Sequence, residues 1–154
     1  MNVKIEHRIG VQRPKEEIWA VLSDLDAWKD WNPMYTQASG KLLVSAPLHL
    51  VEKVGERSET LDVTIAEWVV NQQVIWVRRT HGGLVRQVRY IEIEPLTDTA
   101  CIFANGTLFE GRFAHWLVPK GRQRVLRNAY RGFCEAMKAR VEAGFGAAAR
   151  AEAT

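Results

Sequence analysis

The side chains able to do chemistry in this chain are four histidines, two cysteines and a set of polar residues embedded in apolar strands, and their spacing excludes most reactions. His7, His49, His81 and His115 fall one to an element, with no HxxxH, HExxH or Cys-His spacing, so no metal is expected. There is no GxSxG, GxGxxG or phosphate-binding loop, which removes the usual support for hydrolase, dinucleotide and nucleoside-triphosphate chemistry, and no cofactor is implied. Cys101 and Cys134 lie far apart and outside any CxxC pair, the pattern of a reduced, cytoplasmic protein. What remains is Gln87, Arg89 and Asn105, each alternating with apolar or aromatic neighbours, where sparse polar groups can orient a small molecule.

Those residues must be positioned by strands. Val3, Ile5, Ile9 and Val11 alternate with Lys4, Glu6 and Arg8, which marks a half-buried first strand. Pro14 followed by Ile18, Trp19, Val21 and Leu22 predicts a short helix over 14–22. Asp26 is expected to cap a second one through Trp28 and Trp31, stopped at Asn32-Pro33. Residues 35–43, 48–56 and 60–70 carry strand alternation. The runs 73–81 and 84–94, joined by Gly82-Gly83, predict a tight antiparallel hairpin with His81 opposite Leu84, Arg79 opposite Arg86, Trp76 opposite Arg89 and Val74 opposite Ile91. Pro95 ends it, and 99–109 supplies a further strand. Leu126, Tyr130, Phe133, Met137 and Val141 then fall on one stripe of a helix over 122–144.

Of the two hairpin faces, one carries Val74, Trp76, Arg78, Thr80, Val85, Gln87, Arg89, Ile91 and Ile93. The other sets two arginines directly opposite each other, an arrangement that suits water better than a protein interior, so the first face is expected inward. On that face Trp76 and Arg89 are neighbours, which is either a ligand-facing pair or an ordinary cation–π contact. Asn105 is either a ligand-orienting group beside Phe103 or, with Gly106, the mark of a bend. Trp28, Trp31, Asn32 and Pro33 read as packing and helix termination.

With 154 residues, 47% of them apolar, one core is expected, over 1–145, followed by a tail at 146–154 with nothing to bury. No run approaches the roughly 18 apolar residues of a membrane span. The net charge of +3 does not imply nucleic acid; the basic cluster Lys120, Arg122, Arg124, Arg127 and Arg131 reads as the solvated face of an amphipathic helix.

The order strand, two short helices, antiparallel strands, long helix resembles the helix-grip superfamily of START-related lipid-transfer proteins, birch-pollen-allergen-like proteins and bacterial polyketide cyclase/dehydrases. The resemblance is carried by the stretch from Ile18 to Pro33, by Val74-Ile-Trp76, Ile91–Pro95, Phe109-Glu-Gly111 and Tyr130–Glu142. It implies an α+β fold, a curved antiparallel sheet wrapped around a long C-terminal helix, with a hydrophobic cavity between them. A lipid- or polyketide-like small molecule is then the expected partner, bound by Trp76, Gln87, Arg89, Phe103, Asn105, Tyr130, Phe133 and Met137. The alternatives are a cyclase/dehydratase, with Arg89 polarising a carbonyl and His81 or Tyr90 moving protons, and a protein- or ribosome-binding module using the basic helix.

Overall fold

The computed structural model describes residues 2–147. Seven strands form one antiparallel sheet: β1 (Val3–Val11), β2 (Tyr35–Gly40), β3 (Pro47–Val54), β4 (Arg57–Val69), β5 (Gln73–Thr80), β6 (Val85–Thr97) and β7 (Ala100–Glu110). Their order is β1-β7-β6-β5-β4-β3-β2, so the chain crosses once from one edge to the other and then meanders back. That crossing is made by α1 (Lys15–Ser23), a 3₁₀ turn at Leu25–Ala27 and α2 (Trp28–Trp31). The sheet curls, and its concave face is covered by α4 (Lys120–Glu142), which lies against β1, β7 and β3. A short α3 (Ala114–Leu117) bridges β7 and α4.

The curl has local causes. Register irregularities interrupt β4–β5 between Ile65 and Glu67 and β2–β3 between Tyr35 and Gln37, and each inserted residue bends its strand and sharpens the twist. Long strands so bent present one continuous concave apolar face, and the Leu126, Tyr130, Phe133, Met137 and Val141 stripe of α4 is fully buried on it.

The hairpin register is the expected one from Val74↔Ile91 through Trp76↔Arg89 to Arg79↔Arg86. Its turn departs from expectation: pairing ends at Thr80↔Val85, and His81 and Leu84 instead close a tight turn through a Leu84 N–H donating to the His81 carbonyl. His81, Gly82 and Gly83 all take positive φ, which fits the right-handed twist of the flanking strands and is least costly at glycine. Pro95 does not end β6, which continues past an irregularity to Thr97.

Two further expectations change at the helices. Asp26 caps nothing by its side chain; it sits within the 3₁₀ turn, which itself leads the chain into α2. The stop at Asn32 is real, with extended backbone there and its Oδ1 accepting from the Met34 and Tyr35 N–H groups. Of the tail, Gly146 is buried: a Cβ there would lie 2.2 Å from the Glu17 carbonyl oxygen, so α1 and the segment after α4 meet backbone to backbone. The rest of the expected tail, 148–154, lies outside the described residues.

Candidate functional site: a buried guanidinium and the cleft above it

The inward hairpin face is the one carrying Trp76 and Arg89: Val74, Trp76, Val85, Gln87, Arg89, Ile91 and Ile93 are all buried. Arg89 stands at the centre with 1% of its surface exposed, and all five of its N–H donors are engaged. Nε donates to the Tyr35 hydroxyl at 2.9 Å. Nη1 donates to the carbonyls of Tyr90 and Gly106 at 2.9 and 3.0 Å. Nη2 donates to Asn105 Oδ1 at 2.7 Å and toward Met34 Sδ at 3.7 Å. Aromatic faces surround the charge, with Tyr130 nearest at 4.5 Å and Trp76 and Tyr35 each at 5.6 Å.

No carboxylate pairs with Arg89 among the described residues. Its cage is neutral acceptors and π faces, with the buried Glu52 acting at longer range. Burial is the strongest influence and works against the charge. The oxygens of Tyr35 and Tyr130, together with Glu52, outweigh it, and the pKa is held above the ordinary arginine value. Asn105 completes the cage from the helix side: its Nδ2 donates to the Tyr130 carbonyl and to Cys134 Sγ, each at 3.0 Å, which ties β7 to α4. Burial pushes the Cys134 thiol up to about 11, the Asn105 contact only partly offsetting it.

The expected site residues therefore divide. Trp76, Arg89, Phe103, Asn105, Tyr130, Phe133 and Met137 converge as one group, packed on one another: Phe103 stacks on Phe133 with ring centroids 5.7 Å apart, and Tyr35 meets both Trp76 and Phe133 edge-on at 5.9 Å. Of the eight, Gln87 borders the cleft described below. Tyr90 lies elsewhere, as its face predicts, donating to the Glu6 carboxylate on the convex side, whereas His81, exposed at the hairpin turn, borders the same cleft. Tyr35 and Met34, which complete the Arg89 cage, were not expected. Both belong to the partly alternating run after Asn32-Pro33, and nothing local announces that it folds beneath the hairpin.

Hollows of about 500 Å³ beside Asp26, Gln37 and His49 and of about 400 Å³ beside Met34, Val125 and Gly132 lie away from this group, and a third lies at the end of the interior where α4 begins. A cleft of about 490 Å³ is bounded by the sheet, by α3 and by the first turns of α4. Phe109, Leu117, Val118 and Leu126 supply its apolar wall, and Gln87 its polar inner end. Arg57, Arg78, Arg79 and Arg122 face it against Glu52 and Glu59, so cations exceed carboxylates four to two. Arg78 is itself fixed by Gln87 Oε1 at 2.7 Å and by Glu59 at 3.5 Å. A further hollow of about 340 Å³ continues the cleft past Glu52, Arg57 and Arg122. Arg122 thus leaves the solvated basic face to which the helix pattern assigns it, because the first turn of α4 overhangs the sheet; Arg124, Arg127 and Arg131 remain exposed.

The tyrosines give this interior a measurable signature. Tyr35, Tyr90 and Tyr130 are the only three in the chain, and burial is the leading reason that all three have pKa values raised above 10. Arg89 opposes the shift at Tyr35 and Tyr130 without reversing it. A raised phenol pKa stabilises the fold below the unfolded value of about 10 and loses that contribution as pH rises beyond it, about 1.4 kcal/mol per pH unit for each of Tyr35 and Tyr130. Phenolate absorbance is therefore expected to appear at higher pH in the folded protein than in the chain unfolded by denaturant, and its onset is expected to accompany loss of near-ultraviolet circular dichroism. A gradual rise centred on pH 10 in folded protein would contradict the buried cage.

A curled antiparallel sheet gripping one long helix, with its polar centre inside, defines the helix-grip class. The chain matches the family described as "Polyketide cyclase / dehydrase and lipid transport" over residues 2–142, and it belongs to that family. Comparison with curated protein sequences finds no significant match. Among solved structures it is similar to a START superfamily protein from Mycobacterium smegmatis, at 17% identity and TM-score 0.69, over 90% of this chain and 97% of that one. It is also similar to the Zhui aromatase/cyclase from Streptomyces sp. R1128, at 14% identity and TM-score 0.71, over 92% and 94%. A protein from Thermus thermophilus, TTHA0849, gives 13% identity and TM-score 0.70, over 92% and 98%. At these identities the likeness is one of fold. Among the described residues no helix is long and apolar enough to cross a membrane.

Proposed function

We propose that the protein binds a small molecule with an apolar or aromatic body and an anionic or strongly hydrogen-bond-accepting head, and that the cleft at the start of α4 is where it binds. The observation that carries this is the composition of the cleft wall: four apolar side chains on one side and a surplus of guanidinium groups on the other, meeting at Gln87. Family membership and the lipid- or polyketide-like ligands it suggests agree with such a molecule. The seven other expected site residues pack on one another deeper in the interior.

Binding is favoured over the cyclase alternative because Arg89 has no free donor with which to polarise a carbonyl, and Tyr90 is turned toward Glu6. The test is a titration with an anionic naphthalene sulfonate dye, followed by fluorescence and by amide shifts in ¹H–¹⁵N spectra. Shifts are expected at Gln87, Leu117, Val118 and Leu126. Arg78→Ala with Arg122→Ala is expected to weaken binding about tenfold, since a charge-assisted contact contributes roughly 1.5–3 kcal/mol when buried and less at a cleft mouth. Shifts confined to other surfaces, or an unchanged affinity in the double variant, would refute the assignment.

A further inference from the structure

We infer that the end of the molecule beside the cleft mouth docks on an anionic lipid surface. The observation is a set of large apolar side chains that the fold leaves outside its core: Trp116 is 75% exposed, Leu84 58% and Phe113 49%. They come from two chain reversals that the structure holds together. Leu84 ends the β5–β6 turn, and Gly111, at φ +153°, lies so close beneath it that a Cβ there would sit 2.5 Å from the Leu84 carbonyl oxygen. Phe113, just before α3, and Trp116, within it, follow at once at i, i+3, the Trp116 N–H donating to the Phe113 carbonyl at 3.0 Å.

Charge selects the partner. The two segments 79–86 and 110–120 carry Arg79, Arg86, Arg112 and Lys120 against one carboxylate, Glu110, a net +3 that equals the formal charge of the whole chain. Arg86 is paired with Glu110, whereas Arg79, Arg112 and Lys120 are exposed and form no ion pair among the described residues. Apolar and aromatic side chains projecting from turns within a ring of free cations match a bilayer interface, where the indole and phenyl rings enter the headgroup region and the cations meet anionic lipid. A second copy of the chain fits poorly, because it would bring the same unpaired cations face to face. The cleft wall includes Thr80, His81, Leu117 and Val118, which belong to or adjoin the same two reversals, so docking would bring the cleft close to the lipid. The inference stands on the surface itself and does not require the ligand reading.

The full chain is tested by flotation with vesicles of phosphatidylcholine alone and with about 30% phosphatidylglycerol, at low and high salt. Binding is expected only to the anionic vesicles and is expected to weaken with salt. Trp116→Ala, and separately Arg112→Glu with Lys120→Glu, should each reduce it about tenfold without changing the melting temperature, since these side chains are exposed. No binding to anionic vesicles overturns the inference, as does equal binding by Trp116→Ala. A concentration-dependent dimer abolished by Trp116→Ala overturns it in favour of contact between copies. The dye titration of the cleft is run without vesicles, and Trp116 does not line the cleft, so the two readings fail separately.

Discussion

Replacing Arg89 by leucine is expected to destabilise the protein by about 3–5 kcal/mol, the range for removing one member of a buried charged network. The loss comes less from the charge than from what it leaves behind: the Tyr35 hydroxyl, Asn105 Oδ1 and the carbonyls of Tyr90 and Gly106 lose their donor together, in a place water does not reach. Lysine keeps the charge but offers three donors from a point rather than five from a planar fork, so Arg89→Lys should recover only part of the stability. Guanidinium denaturation of the two variants decides this. Equal stability of Arg89→Leu and the wild type would mean the cage is not satisfied as described. The same result bears on enzymology: a loss of any activity in an Arg89 variant must be read against its folded fraction before it is assigned to chemistry.

A second large effect is expected from one methyl group. A Cβ added at Gly106 would lie 2.5 Å from the Tyr90 hydroxyl and 2.6 Å from the Ile5 carbonyl oxygen. The tyrosine ring can swing aside by itself, but the Ile5 oxygen is backbone in β1, paired with Thr107 beside the glycine, and it cannot retreat without parting β1 from β7. Gly106→Ala is therefore expected to cost about 3 kcal/mol, at the upper end for overpacking. Gly10→Ala provides the control. Gly10 is also in β1, a Cβ there meets nothing within 4 Å, and the change should be neutral or stabilising by a few tenths of a kcal/mol. Thermal melts of both variants make the comparison, and a Gly106→Ala protein as stable as Gly10→Ala would show that β1 and β7 can separate freely. The expectation that Asn105-Gly106 marks a bend is replaced by this close approach, since the β6–β7 register runs unbroken through both residues.

Much of this was legible in the chain because alternation is a local property. The strand texture, the Gly-Gly turn, the register of Trp76 with Arg89, the inward face of the hairpin and the stripe on α4 each follow from side chains within a few residues of one another. The resemblance carried by the Ile18–Pro33 stretch then supplied the packing of sheet on helix that periodicity cannot give. Arg89 could be placed inward by its neighbours, but its partners could not: Tyr35 is 54 positions away and Met34 55.

Residue order alone was enough for most elements, their succession, the inward face of the hairpin and the buried stripe of α4, though not for Met34 and Tyr35, because periods of two and 3.6 residues fix which side chains share a side but not what they meet across the fold. How full the interior is became known only from the folded chain. Whether Trp76, Phe103, Tyr130, Phe133 and Met137 leave room for a guest or close on one another depends on the curvature set by two strand irregularities and on where α4 settles, and neither is written in any local pattern. The same long-range packing placed a cleft at the start of α4, drew Arg122 over it, and left Leu84, Phe113 and Trp116 in solvent beside its mouth.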